Sequence, residues 1–140
     1  MEFEADPKVS QIADAFAADM VDFAKSQFQV DLDFTIDSVV RLEEIAESTA
    51  SSKPRFSLFR RDATQKTEGF SKMLGFYLAE TMRREWGGEH GWVTADGNRF
   101  YGLKLSDGAL CWPVGRAEQP ITQGRENDLT VYVAGIRPAS

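Results

Sequence analysis

The sequence predicts a single α+β domain in which three helices pack on one face of a small antiparallel sheet, a β-meander. Three observations carry that prediction. The first half shows helical spacing of its apolar residues, and residues 91–114 change to alternation punctuated by turns. The 140 residues, 42% apolar and 27% charged, are enough for one sizeable core. The chain divides into a helical part over 7–86, a meander over 91–114 and a C-terminal segment over 115–140.

The first helix runs from Pro7 to Phe28. Val9, Ile12, Ala13, Phe16, Met20, Phe23 and Ala24 form its apolar stripe, with Asp14, Asp19, Asp22 and Lys25 opposite. Asp6 followed by Pro7 supplies an N-cap and a first helical residue. "VDLDFT" (30–35) alternates and reads as a half-buried strand or an extended connection. Thr35 or Asp37 can cap the second helix, whose stripe is Val39, Leu42, Ile45 and Ala46; Arg41, Glu43, Glu44 and Glu47 are placed outside. "STASSKP" ends it, and 53–66 reads as a basic loop anchored by Phe56, Leu58 and Phe59.

The third helix, 66–86, is apolar nearly all round: Phe70, Leu74 and Tyr77 on one side, Leu78, Met82 and Trp86 on another, Phe76 on a third. Such a helix is central to a fold. Gly75 and Ala79 leave a shallow strip for close packing, and Gly87-Gly88 closes the helix. Asp96-Gly97 and Asp107-Gly108 are turn signals that delimit strands near 91–95, 99–105 and 109–114. The tail reads both ways over 128–136: Asn127 or Asp128 can cap a short helix, while Thr130, Val131 and Val133 favour a strand.

Charge and composition exclude several function classes. Residues 1–50 hold twelve acids against three bases, and residues 51–86 hold eight bases against four acids. A net charge of −6 opposes general nucleic-acid binding, which needs a basic surface. No apolar run approaches the roughly 20 residues of a membrane span, and the acidic start lacks the features of a signal peptide. The expectation is a soluble cytoplasmic protein.

Metal and nucleophilic chemistry have few residues to work with. One histidine, His90, and one cysteine, Cys111, cannot assemble a zinc site, and no calcium-loop spacing, phosphate loop or nucleophile elbow is present. The expectation is therefore no metal, no cofactor and no catalytic residue. Cys111, between Leu110 and Trp112, reads as a buried inert thiol, and His90, after the two glycines, as an exposed turn residue.

One charge is out of place. Glu80 is the only charged residue of "MLGFYLAETM", on a helix expected to be buried, so it needs a partner. Arg41, Arg99, Lys104, Arg116 and the indoles of Trp92 and Trp112 are candidates. Tyr77, Glu80, Trp92 and Trp112 together form the candidate pocket or buried polar site.

These residues also carry a resemblance. Gly75-x-Tyr77-Leu78-Ala79-Glu80, Gly87-Gly88, Trp92, Asp96-Gly97 and Trp112-Pro113 resemble a bacterial domain of unknown function. That family shows a helix with Gly-x-x-Leu-Gly-Glu, a Gly-x-x-Trp, a hairpin and Phe-Pro. The resemblance spans roughly 30–130, with Ala79 in place of a glycine, Trp112 in place of phenylalanine and a longer Gly-to-Trp spacing. It implies the architecture and a bacterial source, and no activity. Two function classes follow: a non-catalytic interaction or regulatory module of immunity type, binding another protein through its acidic surface, or a small-ligand or enzymatic domain with its pocket at Glu80. Oligomeric state is not encoded in any pattern found.

Overall fold

The computed structural model describes residues 2–51, 60–111 and 113; side chains at 47, 49–51 and 60–68 lie outside the description, as do Trp112 and the tail that contains 128–136. The order of elements is β1 (Glu2–Ala5), α1 (Pro7–Phe28), α2 (Ser38–Ser51), α3 (Arg60–Trp86), β2 (Gly88–Ala95), β3 (Asn98–Leu105) and β4 (Leu110–Cys111). The four strands form one antiparallel sheet in the order β1-β2-β3-β4, with the helices on one face. The fold is α+β, as the sequence predicts.

Each helix begins and ends for a local reason. Asp6 caps α1 by accepting from the Lys8 N–H at 2.9 Å, with Pro7 in the first turn, and Gln29 closes the helix in the left-handed region. Residues 30–35 are a connection: Leu32 is buried, and Asp33 Oδ1 accepts from the Thr35 hydroxyl at 2.6 Å. The Thr35 hydroxyl in turn accepts from the Ser38 N–H, capping α2. The buried stripe of α2 is wider than expected. Glu43 is buried as well, because it stands one turn beyond Val39 and beside Ala46 on the same face. α3 starts at Arg60, six residues earlier than its apolar pattern suggests. A polar stretch continues a helix readily once a buried face downstream has nucleated it.

α3 is the central element. Phe70, Leu74, Tyr77, Leu78, Ala79 and Met82 join Met20 and Ala24 of α1, Leu42 and Ile45 of α2, and Leu103, Leu105 and Cys111 of the sheet in the main core. On the opposite side Phe76 packs with Val9 and Ala13 of α1, partly covered by Phe16, Trp92 and Tyr101. The alanines of α1 at 13, 17 and 24 are fully buried and let α1 lie close against α3.

The meander follows its turn signals. Asp96 and Gly97 both have positive φ, 52° and 79°, as a two-residue hairpin turn demands. β1 has no counterpart in the sequence reading, since four residues with one large apolar side chain give too short an alternation to register. It pairs along β2 from Glu2↔Thr94 to Ala5↔Gly91. Gly91 permits that approach: a Cβ there would stand 2.1 Å from the Glu4 carbonyl oxygen.

Candidate functional site

Glu80 lies on the face of α3 that meets β2, and only 1% of the residue is exposed. Three donors from nearby in sequence converge on its carboxylate. Arg83, one turn on, gives Nε to both oxygens and Nη2 to Oε1. Arg84 gives Nε to Oε1 at 3.0 Å, and the His90 Nε2 lies 2.8 Å from Oε2. Of the partners proposed from sequence, Arg41, Arg99, Lys104 and Trp92 are among the described residues and none of these takes part. Arg41 instead reaches the Asp31 carbonyl and Asp33, and the Trp92 indole donates to Asp6 Oδ2 at 3.0 Å. Arg116 and Trp112 lie outside the described residues.

His90 corrects the expectation of an exposed turn residue. It is 3% exposed and sits within β2, two residues past Gly88. The reason is how abruptly α3 ends. Gly87 at φ 75° bonds back to the Arg83 carbonyl, and Gly88 at φ 144° starts the strand at once. The chain therefore reverses without a connecting loop, and the third residue of β2 returns to the level of Glu80.

Electrostatics fix the protonation state. Burial pushes the Glu80 carboxyl upward, but hydrogen bonds from His90, Arg83 and Arg84 outweigh it and hold the group far below the usual carboxylate range. An ionised carboxylate only accepts hydrogen bonds. The Nε2 of His90 therefore carries the hydrogen of that bond.

Of the four residues proposed as one site, Tyr77, Glu80 and Trp92 are described, and each of these has different partners. Tyr77 is fully buried on another side of α3, where its hydroxyl accepts from the Phe34 N–H at 2.9 Å and lies 2.6 Å from the Ser38 hydroxyl. Trp92 stacks on Tyr101, and the Arg99 guanidinium lies 4.4 Å from the centre of its ring. One indirect link joins Tyr77 to Glu80: Phe34 stacks on Tyr77, and Arg84 lies 3.8 Å over the Phe34 ring. A cleft of about 370 Å³ opens between the N-terminal turn of α1 and the start of β2. Asp6, Asp14, Glu80, Arg83, Glu89 and His90 line it. Of the predicted set it contains Glu80 alone.

Two further expectations concern metals and thiols. Among the described residues no group of three or more His, Cys, Asp or Glu side chains could hold a metal ion. Cys111 is buried, and burial, with the Asp107 charge adding to it, pushes its thiol up to about 11. A thiol held there is a poor nucleophile at neutral pH. No helix of the described residues is long and apolar enough to cross a membrane.

No protein-family model and no curated protein matches the chain. Its fold is similar to that of a crystal structure from Bacteroides thetaiotaomicron VPI-5482, at a TM-score of 0.69 and 12% sequence identity. That likeness covers 98% of this chain and 48% of the other, so the chain spans about half the length of the protein it matches. At such an identity the two share a fold.

Proposed function

We propose that the protein is a non-catalytic interaction module of regulatory or immunity type, working in a bacterial cytoplasm and binding another protein through its acidic surface. The observation that carries this reading is the state of Glu80. Both of its oxygens are occupied by donors and its charge is held firmly, so it has neither a proton to give nor a vacant lone pair to take one. What the fold offers to a partner is charge: Asp14, Asp19 and Asp22 are exposed along α1, and Asp31, Asp33, Asp37 and Glu44 are exposed beyond it. Complementary potentials of this kind speed encounter and select partners. The resemblance of roughly residues 30–130 to a bacterial domain family belongs to the same proposal.

One observation favours the second reading, a small-ligand domain: a cleft opens beside Glu80, with Asp6, Asp14, Arg83, Glu89 and His90 among its lining residues. A single experiment separates the two. The tagged protein and an Asp14→Lys/Asp19→Lys/Asp22→Lys variant are used to capture partners from a bacterial lysate at several salt concentrations. The interaction reading expects a saturable protein partner, lost with rising salt and absent from the variant. No retained protein, with a small molecule co-purifying instead, supports the ligand reading.

A further inference from the structure

The turn that leads into α2 holds an aromatic residue in a conformation such residues rarely adopt. Phe34 has φ 60°, in the left-handed region. A bulky side chain there crowds its own backbone, and the conformation persists only where surrounding contacts impose it. The residues just before it are anchored separately. Leu32 is buried in the core, and Arg41 bonds the Asp31 carbonyl and the Asp33 carboxylate. Phe34 is held from α3. Its N–H donates to the Tyr77 hydroxyl at 2.9 Å, its ring stacks on Tyr77 at 4.8 Å, and the Arg84 guanidinium carbon lies 3.8 Å from the ring centre.

These contacts differ in kind. Tyr77 is fully buried and fixed in the core. Arg84 is 47% exposed, and a long side chain loses conformational freedom when it is kept against a ring. Glu80 keeps it there, since its Oε1 accepts from the Arg84 Nε at 3.0 Å. The same carboxylate is tied to Arg83 and to His90 of β2, in the wall of the cleft. Contacts therefore run without a break from the start of β2, through Glu80 and Arg84, to the strained turn.

We propose that this series is a catch: Glu80 holds Arg84 over Phe34, and Arg84 keeps the strained turn closed. Asp33 and Asp37, exposed on either side of Phe34 in the chain, belong to the acidic surface, so the catch fixes how that stretch of charge is displayed. Arg84 is a positioning residue that acts through the Phe34 ring, and Glu80 is one that acts through Arg84. Without them the turn opens locally, because relief of the strain at Phe34 favours the open form. The device goes beyond the interaction reading and holds whichever partner or ligand the protein has.

Amide hydrogen exchange at Phe34, followed by NMR in the intact protein, reports opening of the turn. Exchange at Ala17, on the buried face of α1, reports opening of the whole fold. Arg84→Gln should speed exchange at Phe34 about fivefold, the loss of one cation–π contact, and leave Ala17 within about twofold. Arg83→Gln removes the other arginine on the same carboxylate and should leave both amides within about twofold. Glu80→Gln should speed Phe34, and adding Arg84→Gln to it should contribute little more, because both act at one step. In Phe34→Leu, which lacks the ring, Arg84→Gln should not change exchange at residue 34. Exchange at Phe34 that stays constant in Arg84→Gln, that rises equally in Arg83→Gln, or that rises in the Phe34→Leu background as in the wild type overturns the proposal. So does an Arg84→Gln variant in which Ala17 quickens as much as Phe34, since the turn then opens only with the whole fold.

Discussion

Truncating His90 to alanine measures the polar cluster most directly. The ring donates a 2.8 Å hydrogen bond to an ionised acceptor from a nearly sealed position, and such bonds contribute about 1.5–3 kcal/mol. Two features keep the loss from rising further. Glu80 would retain Arg83 and Arg84, so the change stops short of the 3–5 kcal/mol of orphaning a buried charge. The hole would also open toward the cleft, where water can reach Oε2. About 2 kcal/mol is expected, or roughly 6–10 °C in Tm for a domain of this size. Urea unfolding followed by tryptophan fluorescence gives the value. Glu80→Ala and the double variant complete a cycle whose coupling should reach about 1.5–3 kcal/mol. Glu80→Ala itself should fall near the lower end of the buried-pair range, because Arg83 and Arg84 are 38% and 47% exposed and can turn to water. A His90→Ala loss below about 0.5 kcal/mol, the size of an ordinary surface change, would refute the argument, as would additive effects in the cycle.

Three other outcomes are expected. Because the Glu80 pKa is depressed in the folded state, the unfolded chain binds more protons as the pH drops below the ordinary carboxylate value near 4.5. The stability it contributes is thus complete above that value and fades in acid, and Glu80→Gln should flatten the wild-type slope of midpoint against pH between about 5 and 3; an unaltered slope would contradict it. Tyr77→Phe removes the acceptor of the Phe34 N–H and the partner of the Ser38 hydroxyl, so it should cost about 1–2 kcal/mol and speed amide exchange at Phe34, an effect that unchanged exchange would disprove. Cys111 should react with an aromatic disulfide reagent at neutral pH only as fast as the protein opens, and rapid labelling of the native protein would show the thiol to be accessible.

The helices and hairpin turns were legible because each rests on a local signal: the Asp6-Pro7 cap, the stripe of α3, the two Asp-Gly pairs. Burial of Glu80 followed from the same stripe. Its arginine partners were legible too, since Arg83 and Arg84 stand at i+3 and i+4 from Glu80 and need no long-range contact. His90 was harder. Polar residues after a glycine pair suggest a connection, and only the absence of any loop between α3 and β2 brings the ring back onto Glu80. β1 depends on a partner far along the chain, which no window of local sequence contains. Polar-tipped side chains such as Tyr77, Glu80 and Trp92 on and after one helix suggest one pocket, yet residues 74–82 of α3 are buried on every side and Tyr77 and Glu80 meet different neighbours.

The Asp6 corner has a consequence for how the molecule assembles. One residue caps α1, donates its own N–H to the His90 carbonyl and accepts from an indole 86 positions later. α1 and the β2–β3 hairpin can each take shape from neighbouring residues, but β1 can pair only after α3 has carried β2 back to the start of α1. Closing so long a loop costs entropy before any contact repays it. The pairing of β1 is thus a long-range step of the sheet, and without it β2 would present an unpaired edge.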